Sequence, residues 1–350
     1  MPRWTPDARV DGLGELLRDA GFTAETAARS LHAATPADLL TNSALYAATS
    51  PDDLTGTLPG ILAHLFICNA ALPSATYEKS VPASLREAFE ALHLLVRERD
   101  SVRSLVSLSP FDSMYFLSDP LFRTANGAIT MTTRRDLVMP PHASSLLLLE
   151  NVAAMKGRLL DIGCGSGFLA LSLADRYDSV IGVDINPRAV AYSRANAVLN
   201  GRAATFTLGD LATDLRVHPP ADHVIFNSPT GPTHRDDDRE PGWMAAPTAL
   251  TTLVERLPSV LAGGGSAQIL LIAELPREGP ALPLPSGYAA THIRAFPESQ
   301  LAVPENSVTS GRIDPGCLLV RDSADARRLM AHLHANAIRA VHPVLLTLSN

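Results

Sequence analysis

Asp161, Gly163, Gly165 and Gly167 stand at alternate positions directly after Leu159-Leu160, and Asp184 ends a second apolar run, Val180-Ile181-Gly182-Val183. Each of these residue types has a chemical use. Glycine lets the backbone turn sharply and lets a ligand approach with no Cβ in the way. A helix that opens behind such a turn presents unpaired N–H groups. A carboxylate at the tip of the next strand, 23 residues after Asp161, can accept both hydroxyls of a ribose. The set predicts a nucleotide-like ligand on the turn. The spacing excludes two common versions of such a site. Phe168 stands where a dinucleotide turn has its third glycine, and no Lys-Ser/Thr pair follows to cradle phosphates.

The neighbouring segments must position these residues. An apolar helical pattern resumes at Phe168, Leu169, Leu171 and Leu173. Asn186-Pro187 opens a helix over 188–199, which Asn200-Gly201 closes. A third strand over 204–208 runs into Gly209-Asp210-Leu211. A fourth over 223–226 runs into Asn227-Ser228-Pro229-Thr230. Strands alternating with helices predict a parallel sheet.

Asp161-x-Gly163-x-Gly165-x-Gly167, with these downstream features in this order, resembles the class I S-adenosylmethionine (SAM) methyltransferases over about residues 139–321. The resemblance implies a Rossmann-like α/β sheet of seven strands and SAM as cofactor. It also implies residue roles. Gly163, Cys164, Gly165 and Gly167 would admit the methionine part and ribose. Asp184 and Ile185 would hold the ribose, while Gly209, Asp210 and Leu211 would lie at the adenine. Asp161 would orient the methionine amino group, with Asn227 at the cofactor's methyl end.

Asn227-Ser228-Pro229-Thr230 occupies the place of the Asn-Pro-Pro-aromatic motif of amino-group methyltransferases such as the protein glutamine N5 and ribosomal RNA guanine N2 enzymes. In that motif the Asn oxygen and the next backbone carbonyl accept N–H bonds and aim the nitrogen lone pair at the methyl, and the aromatic ring stacks on a planar acceptor. Asn227, Ser228 and Pro229 are therefore the expected catalytic residues. Ser228 replaces the first Pro and Thr230 replaces the ring. Loss of the ring weakens a flipped base as acceptor, and also a planar glutamine amide. The expected reaction is N-methylation of a small, natural-product or peptide-like, cationic acceptor. One alternative is an RNA, ribosomal-protein or glutamine N-methyltransferase. A second is a SAM-binding regulator without catalysis.

Further acceptor-side candidates are Thr230, His142, His234 and Trp243. His142 and Ser144 stand at the start of an expected helix over 142–152. The stretch 234–240 holds four acids against two arginines and is read either as steering for a cation or as a solvated loop. A hydroxyl acceptor would need a base, and His234 or His142 could serve.

At 350 residues the chain divides into an expected accessory domain, 1–125, and a methyltransferase domain, 126–350. Residues 1–125 carry no catalytic motif. Helices are expected over 11–20, 24–34, 58–71 and 80–97, then strands over 102–108 and 114–117, which gives a mainly helical, winged-helix-like unit. Net charge is −7, and 80–97 mixes both signs, which disfavours a nucleic-acid partner. No metal is expected, because Cys68, Cys164 and Cys317 lack ligand spacing. Nothing resembles a signal segment or a membrane span, so a cytoplasmic protein is expected, with a homodimer as one assembly. Toward the C-terminus, strands are expected over 267–273, 288–296 and 317–321, and a helix over 324–341.

Overall fold

A computed structural model describes residues 4–6, 10–49, 54–125, 128–132, 134, 136–153, 156–210, 220–228, 249–278, 287–312 and 323–349. Four short helices lead: α1 (Leu13–Asp19), α2 (Ala24–Ser30), α3 (Pro36–Thr41) and α4 (Ser43–Ala48). The helix expected over 24–34 is followed at once by another. Thr35 caps α3 by accepting from the Asp38 N–H, and Pro36 sits in the first turn, where a missing N–H costs nothing.

Next come α5 (Leu58–Phe66), β1 (Leu72–Pro73), α6 (Ser74–Ser80), α7 (Ala83–Ala91), β2 (Leu95–Glu98) and β3 (Ser101–Ser104). The strands form an antiparallel sheet in the order β1-β3-β2, the arrangement of a winged-helix unit. The expected helix 80–97 is divided. His93 takes a left-handed φ of 51°, which ends α7 and leaves residues 95–98 to pair as β2. The expected strand 102–108 is likewise two: β3, then β4 (Ser107–Phe111), which pairs with β5 (Met114–Ser118) as a separate hairpin. A third hairpin joins β6 (Phe122–Ala125) to β7 (Ala128–Met131), and the division expected at 125/126 falls within it.

After α8 (Ala143–Asn151) the chain alternates as expected: β8 (Arg158–Ile162), α9 (Phe168–Leu173), β9 (Ser179–Asp184), α10 (Pro187–Leu199), β10 (Thr205–Leu208) and β11 (Ala221–Asn227). It ends with α11 (Ala249–Val260), β12 (Leu261–Pro276), β13 (Ala290–Ala295), α12 (Glu305–Ser310), α13 (Ser323–Ala335) and β14 (Ile338–Ser349). The seven-stranded sheet has the order β10-β9-β8-β11-β12-β14-β13. Its first five strands are parallel, and β14 is antiparallel to both neighbours.

The last strand is a correction. The strand expected at 317–321 lies outside the described residues, and the place between β12 and β13 is taken by β14. The helix α13 stops at Ala335, and Ala337 has a left-handed φ of 53°. Pro343 obscured this strand, because proline lacks a ladder donor. It sits one position past Val344, where pairing with β13 ends.

The N-terminal region shares its core with the sheet domain. Ala189, Tyr192, Ala195 and Leu199 of α10 pack into the same buried cluster as Trp4, Phe22, Leu62 and Phe89. Asn196 and Asn200 of α10 extend this contact. Their carboxamides hydrogen-bond the backbone N–H and C=O of Leu117 and Tyr115 at 2.8–2.9 Å. Two side chains thus supply the buried edge of β5 that faces away from β4 with the partners a neighbouring strand would give. No helix among the described residues is long and apolar enough to cross a membrane.

Candidate active site

Strand register brings the singled-out residues together. Ile162 of β8 pairs with Val183 on one side and Phe226 on the other. Gly163, Asp184 and Asn227 are the residues that follow these three. They therefore emerge side by side at the C-terminal edge of three adjacent parallel strands, where the chain reverses its direction of winding and ligands of such sheets collect. Leu208 pairs with Asp184, so Gly209 and Asp210 extend the row.

The turn after β8 needs its glycines. Gly163, Gly165 and Gly167 have φ of 65°, 56° and 81°, values that L side chains rarely adopt. Around Gly165 the space a Cβ would occupy is open, whereas at Gly167 it would meet Phe206 and Ser193 at 3.1 Å. The first glycine leaves room for a ligand and the second permits packing.

The turn is pinned from behind by α10. Ser193 Oγ donates to the Gly165 carbonyl at 2.8 Å and Asn196 Nδ2 to the Ser166 carbonyl at 2.8 Å. Cys164 N donates to Val183 O at 3.1 Å. Cys164 is buried against Ser193, and burial holds its thiol well above the usual range. Sequence reasoning passed over Ser193 and Asn196. Their signal was available: with Asn200 they are polar residues at i, i+3 and i+7, one face of a helix, and a buried polar face needs partners.

Asp184 receives the Gly165 N–H on one carboxylate oxygen and the Asn186 N–H on the other, each at 2.8 Å. Each oxygen keeps a lone pair free for a further donor. Burial raises its pKa while these backbone bonds lower it. Asp161 is 1% exposed and accepts one bond, from Ala170 N at 3.1 Å. Burial, with the nearby Asp184 charge, lifts it to about 8. A cation brought beside this carboxyl would favour its charged form. Ile185 and Leu208 are apolar yet 62% and 59% exposed. They follow and face Asp184 at the sheet edge, as walls for a flat apolar group. Asp210 is partly exposed there.

At the other end of the row, Asn227 Nδ2 donates to Ser144 Oγ at 3.0 Å and to Ser145 Oγ at 3.4 Å. Both serines stand in the first turn of α8, which His142 caps. Ser144 Oγ lies 3.2 Å from His142 Nδ1. Burial pushes the His142 ring down to about 4, so it is neutral at physiological pH. Ser228 N donates to Leu270 O at 2.8 Å, and its Oγ is buried without a partner among the described residues. Leu211, Pro229, Thr230, His234 and Trp243 lie outside the described residues. Among the described residues no cluster of His, Cys, Asp and Glu could hold a metal ion.

Residues 141–279 match the family model described as methyltransferase small domain. An inferred protein N5-glutamine methyltransferase of Methanocaldococcus jannaschii is 33% identical over 142 residues, 38% of this chain and 71% of that protein. The release factor glutamine methyltransferase of Rhodospirillum rubrum is 35% identical over 174 residues, 48% of each chain. A ribosomal protein L11 methyltransferase of Polynucleobacter necessarius is 44% identical over 85 residues, 23% of this chain and 26% of the relative. The chain thus spans about half of the second relative and about a quarter of the third. It belongs to the SAM-dependent methyltransferases of the methyltransferase small domain family.

Proposed function

We propose that the protein methylates an amide nitrogen of a protein side chain, of the glutamine type, with SAM as donor. The observation that carries this reading is Asn227. Its Nδ2 is tied to Ser144 and Ser145, which leaves Oδ1 to accept an N–H from the acceptor. The three relatives described above are named as protein methyltransferases, two of them glutamine enzymes. Those names favour a protein acceptor over the small molecule expected from the motif alone.

The chemistry of the residues along the row of strand ends supports SAM as the donor. Bound SAM supplies an activated methyl group. Asp161 takes the amino group of its methionine part, and losing a proton there makes the carboxyl its counter-ion. The open side of the turn at Gly165 would admit the methionine chain and ribose. Asp184 accepts the ribose hydroxyls on its free lone pairs, and Ile185 and Leu208 flank the adenine, with Gly209 and Asp210 at its edge. Asn227 Oδ1 and the Ser228 carbonyl accept the two amide N–H groups, which turns the nitrogen lone pair toward the methyl. Such positioning in a site closed to water is the main contribution a protein makes to this reaction.

Residues 1–125 are assigned as the accessory domain that presents the acceptor. The surface of α7 favours a protein over a nucleic acid. Arg97 of β2, beside α7, is engaged by both Glu78 and Glu90 at 3.0 Å, which offsets its charge toward a phosphate.

Radiolabelled methyl transfer from SAM to purified release factor and L11 of the same host, with Asn227→Ala as control, tests the proposal. Label on a glutamine side chain, lost in the variant, is the expected result. Label only in a small-molecule fraction would favour the second reading, which rests on Thr230 standing in place of the aromatic residue.

A further inference from the structure

Three residues ahead of the glycine turn decide which way the Asn227 carboxamide faces. A carboxamide presents an acceptor oxygen at one end and an NH2 donor at the other, and its surroundings must choose between them. Four distances define those surroundings. Asn227 Nδ2 lies 3.0 Å from Ser144 Oγ and 3.4 Å from Ser145 Oγ. Ser144 Oγ lies 3.2 Å from His142 Nδ1, and the backbone N–H of Ser144 points at the same Nδ1 from 3.4 Å.

The protons in this chain can be counted. A backbone N–H only donates, so Nδ1 of His142 must carry a lone pair, and the proton of the neutral ring sits on Nε2. A serine hydroxyl has one proton. The one lone pair of Nδ1 is shared between the Ser144 N–H at 3.4 Å and the closer hydroxyl at 3.2 Å, and the hydroxyl proton turns toward the imidazole. Ser144 Oγ then meets Asn227 with lone pairs only. The NH2 end is the one that can bond to it, and Oδ1 is turned the other way.

We propose that His142 and Ser144 are positioning residues for methyl transfer. The Nε2–H tautomer of His142 commits the Ser144 proton, and Ser144 thereby fixes the Asn227 carboxamide with Oδ1 presented to the acceptor nitrogen. The proposal rests on the reading of Asn227 as the acceptor-binding residue. It gives His142 a task different from the general base considered from sequence: the ring touches neither cofactor nor acceptor and acts through two hydrogen bonds. Burial that keeps the ring neutral keeps Nδ1 an acceptor. An imidazolium would donate from Nδ1 and free the Ser144 proton for Oδ1, which would reverse the carboxamide.

Nitrogen-15 NMR of the full chain tests the relay without any acceptor. The His142 tautomer is read from its two ring nitrogens, and the Asn227 side-chain amide is identified by its loss in Asn227→Ala. The expected result is the Nε2–H tautomer and an Asn227 amide protected from hydrogen exchange. That protection should be lost in Ser144→Ala and kept in Ser144→Thr. An Nδ1–H tautomer, or an Asn227 amide unchanged in Ser144→Ala, overturns the proposal.

The kinetic arm uses whichever acceptor takes label. Ser144→Ala and His142→Ala should lower kcat about 10- to 100-fold, the scale of a misplaced reacting group, with the Kd for SAM unchanged. Ser144→Thr keeps a hydroxyl and His142→Asn keeps a side-chain acceptor, so both should recover much of the rate. An unchanged kcat in Ser144→Ala overturns the proposal. If glutamine takes no label while the spectra hold, the acceptor assignment alone fails.

Discussion

The two ends of the strand-edge row are built by different means. At the turn after β8, backbone holds the shape. Three glycines take positive φ, Asp184 collects the N–H groups of Gly165 and Asn186, and α10 holds two carbonyls from behind. At Asn227, side chains hold the shape, and they come from α8, some eighty positions earlier. A pocket for a constant cofactor can be made of backbone, which varies little with sequence. A pocket for a particular acceptor needs side chains, which can change without disturbing the strand that carries them.

Breaking each end separately should give different failures. Asn227→Ala should lower methyl transfer by about 10²–10³-fold, as removal of a key oriented polar group does, while SAM binding measured by calorimetry stays at the wild-type level. Turnover that survives the substitution would show that the acceptor is held elsewhere. Asp184→Ala should do the reverse in emphasis. It strips an acceptor from two backbone N–H groups and from the ribose, so SAM affinity should fall about 100-fold, with about 1–3 kcal/mol of stability lost per N–H left unsatisfied. Intact affinity in this variant would dissociate Asp184 from the cofactor.

Asp161 sharpens the contrast through pH. Its pKa of about 8 in the folded protein lies above the ordinary 3.8, so below about 8 the apo carboxyl is protonated. Binding an ammonium group there releases the proton. Affinity for SAM should therefore rise with pH toward about 8, by at most about tenfold per pH unit, and fall above it as the ligand's own amino group loses its proton. Asp161→Asn should flatten the rise, and an unflattened one would exclude Asp161 as its source. The same raised pKa means the folded apoprotein binds a proton that the unfolded chain has released. Apoprotein stability should fall as pH climbs from 3.8 toward 8.

The smallest effect is expected at Asn196→Ala. It leaves Ser166 O and the Leu117 backbone without their partner, at a cost of about 1–3 kcal/mol in denaturant unfolding. SAM binding should weaken less than in Asp184→Ala. A larger loss of SAM binding than of stability would show that the N-terminal region and the turn are coupled more tightly than this contact alone provides.

Much of the cofactor end was legible because local sequence carries it. An apolar run, alternate glycines and a strand-tip acid each dictate a backbone state within a few residues. The same holds for α10, which Asn186-Pro187 opens and Asn200 closes. Legibility failed where a few residues had to choose between competing states. His93 ends α7 in a left-handed conformation without being glycine, and residues 338–349 form a strand despite Pro343. Local propensity disfavours both, and tertiary packing overrides it.

The sequence by itself determined the alternation of strands and helices from β8 to β11, the glycine turn, and the placing of Asp161, Asp184 and Asn227 at or next to the ends of β8, β9 and β11. Periodicity and backbone permissiveness are properties of short segments. Only the tertiary structure decided that Ile162, Val183 and Phe226 stand in register, so that Gly163, Asp184 and Asn227 emerge together. It also decided that Ser144 meets Asn227 and that Asn196 joins the turn to the N-terminal region. These contacts close loops of many tens of residues, and no periodicity within a segment encodes a partner that lies on another.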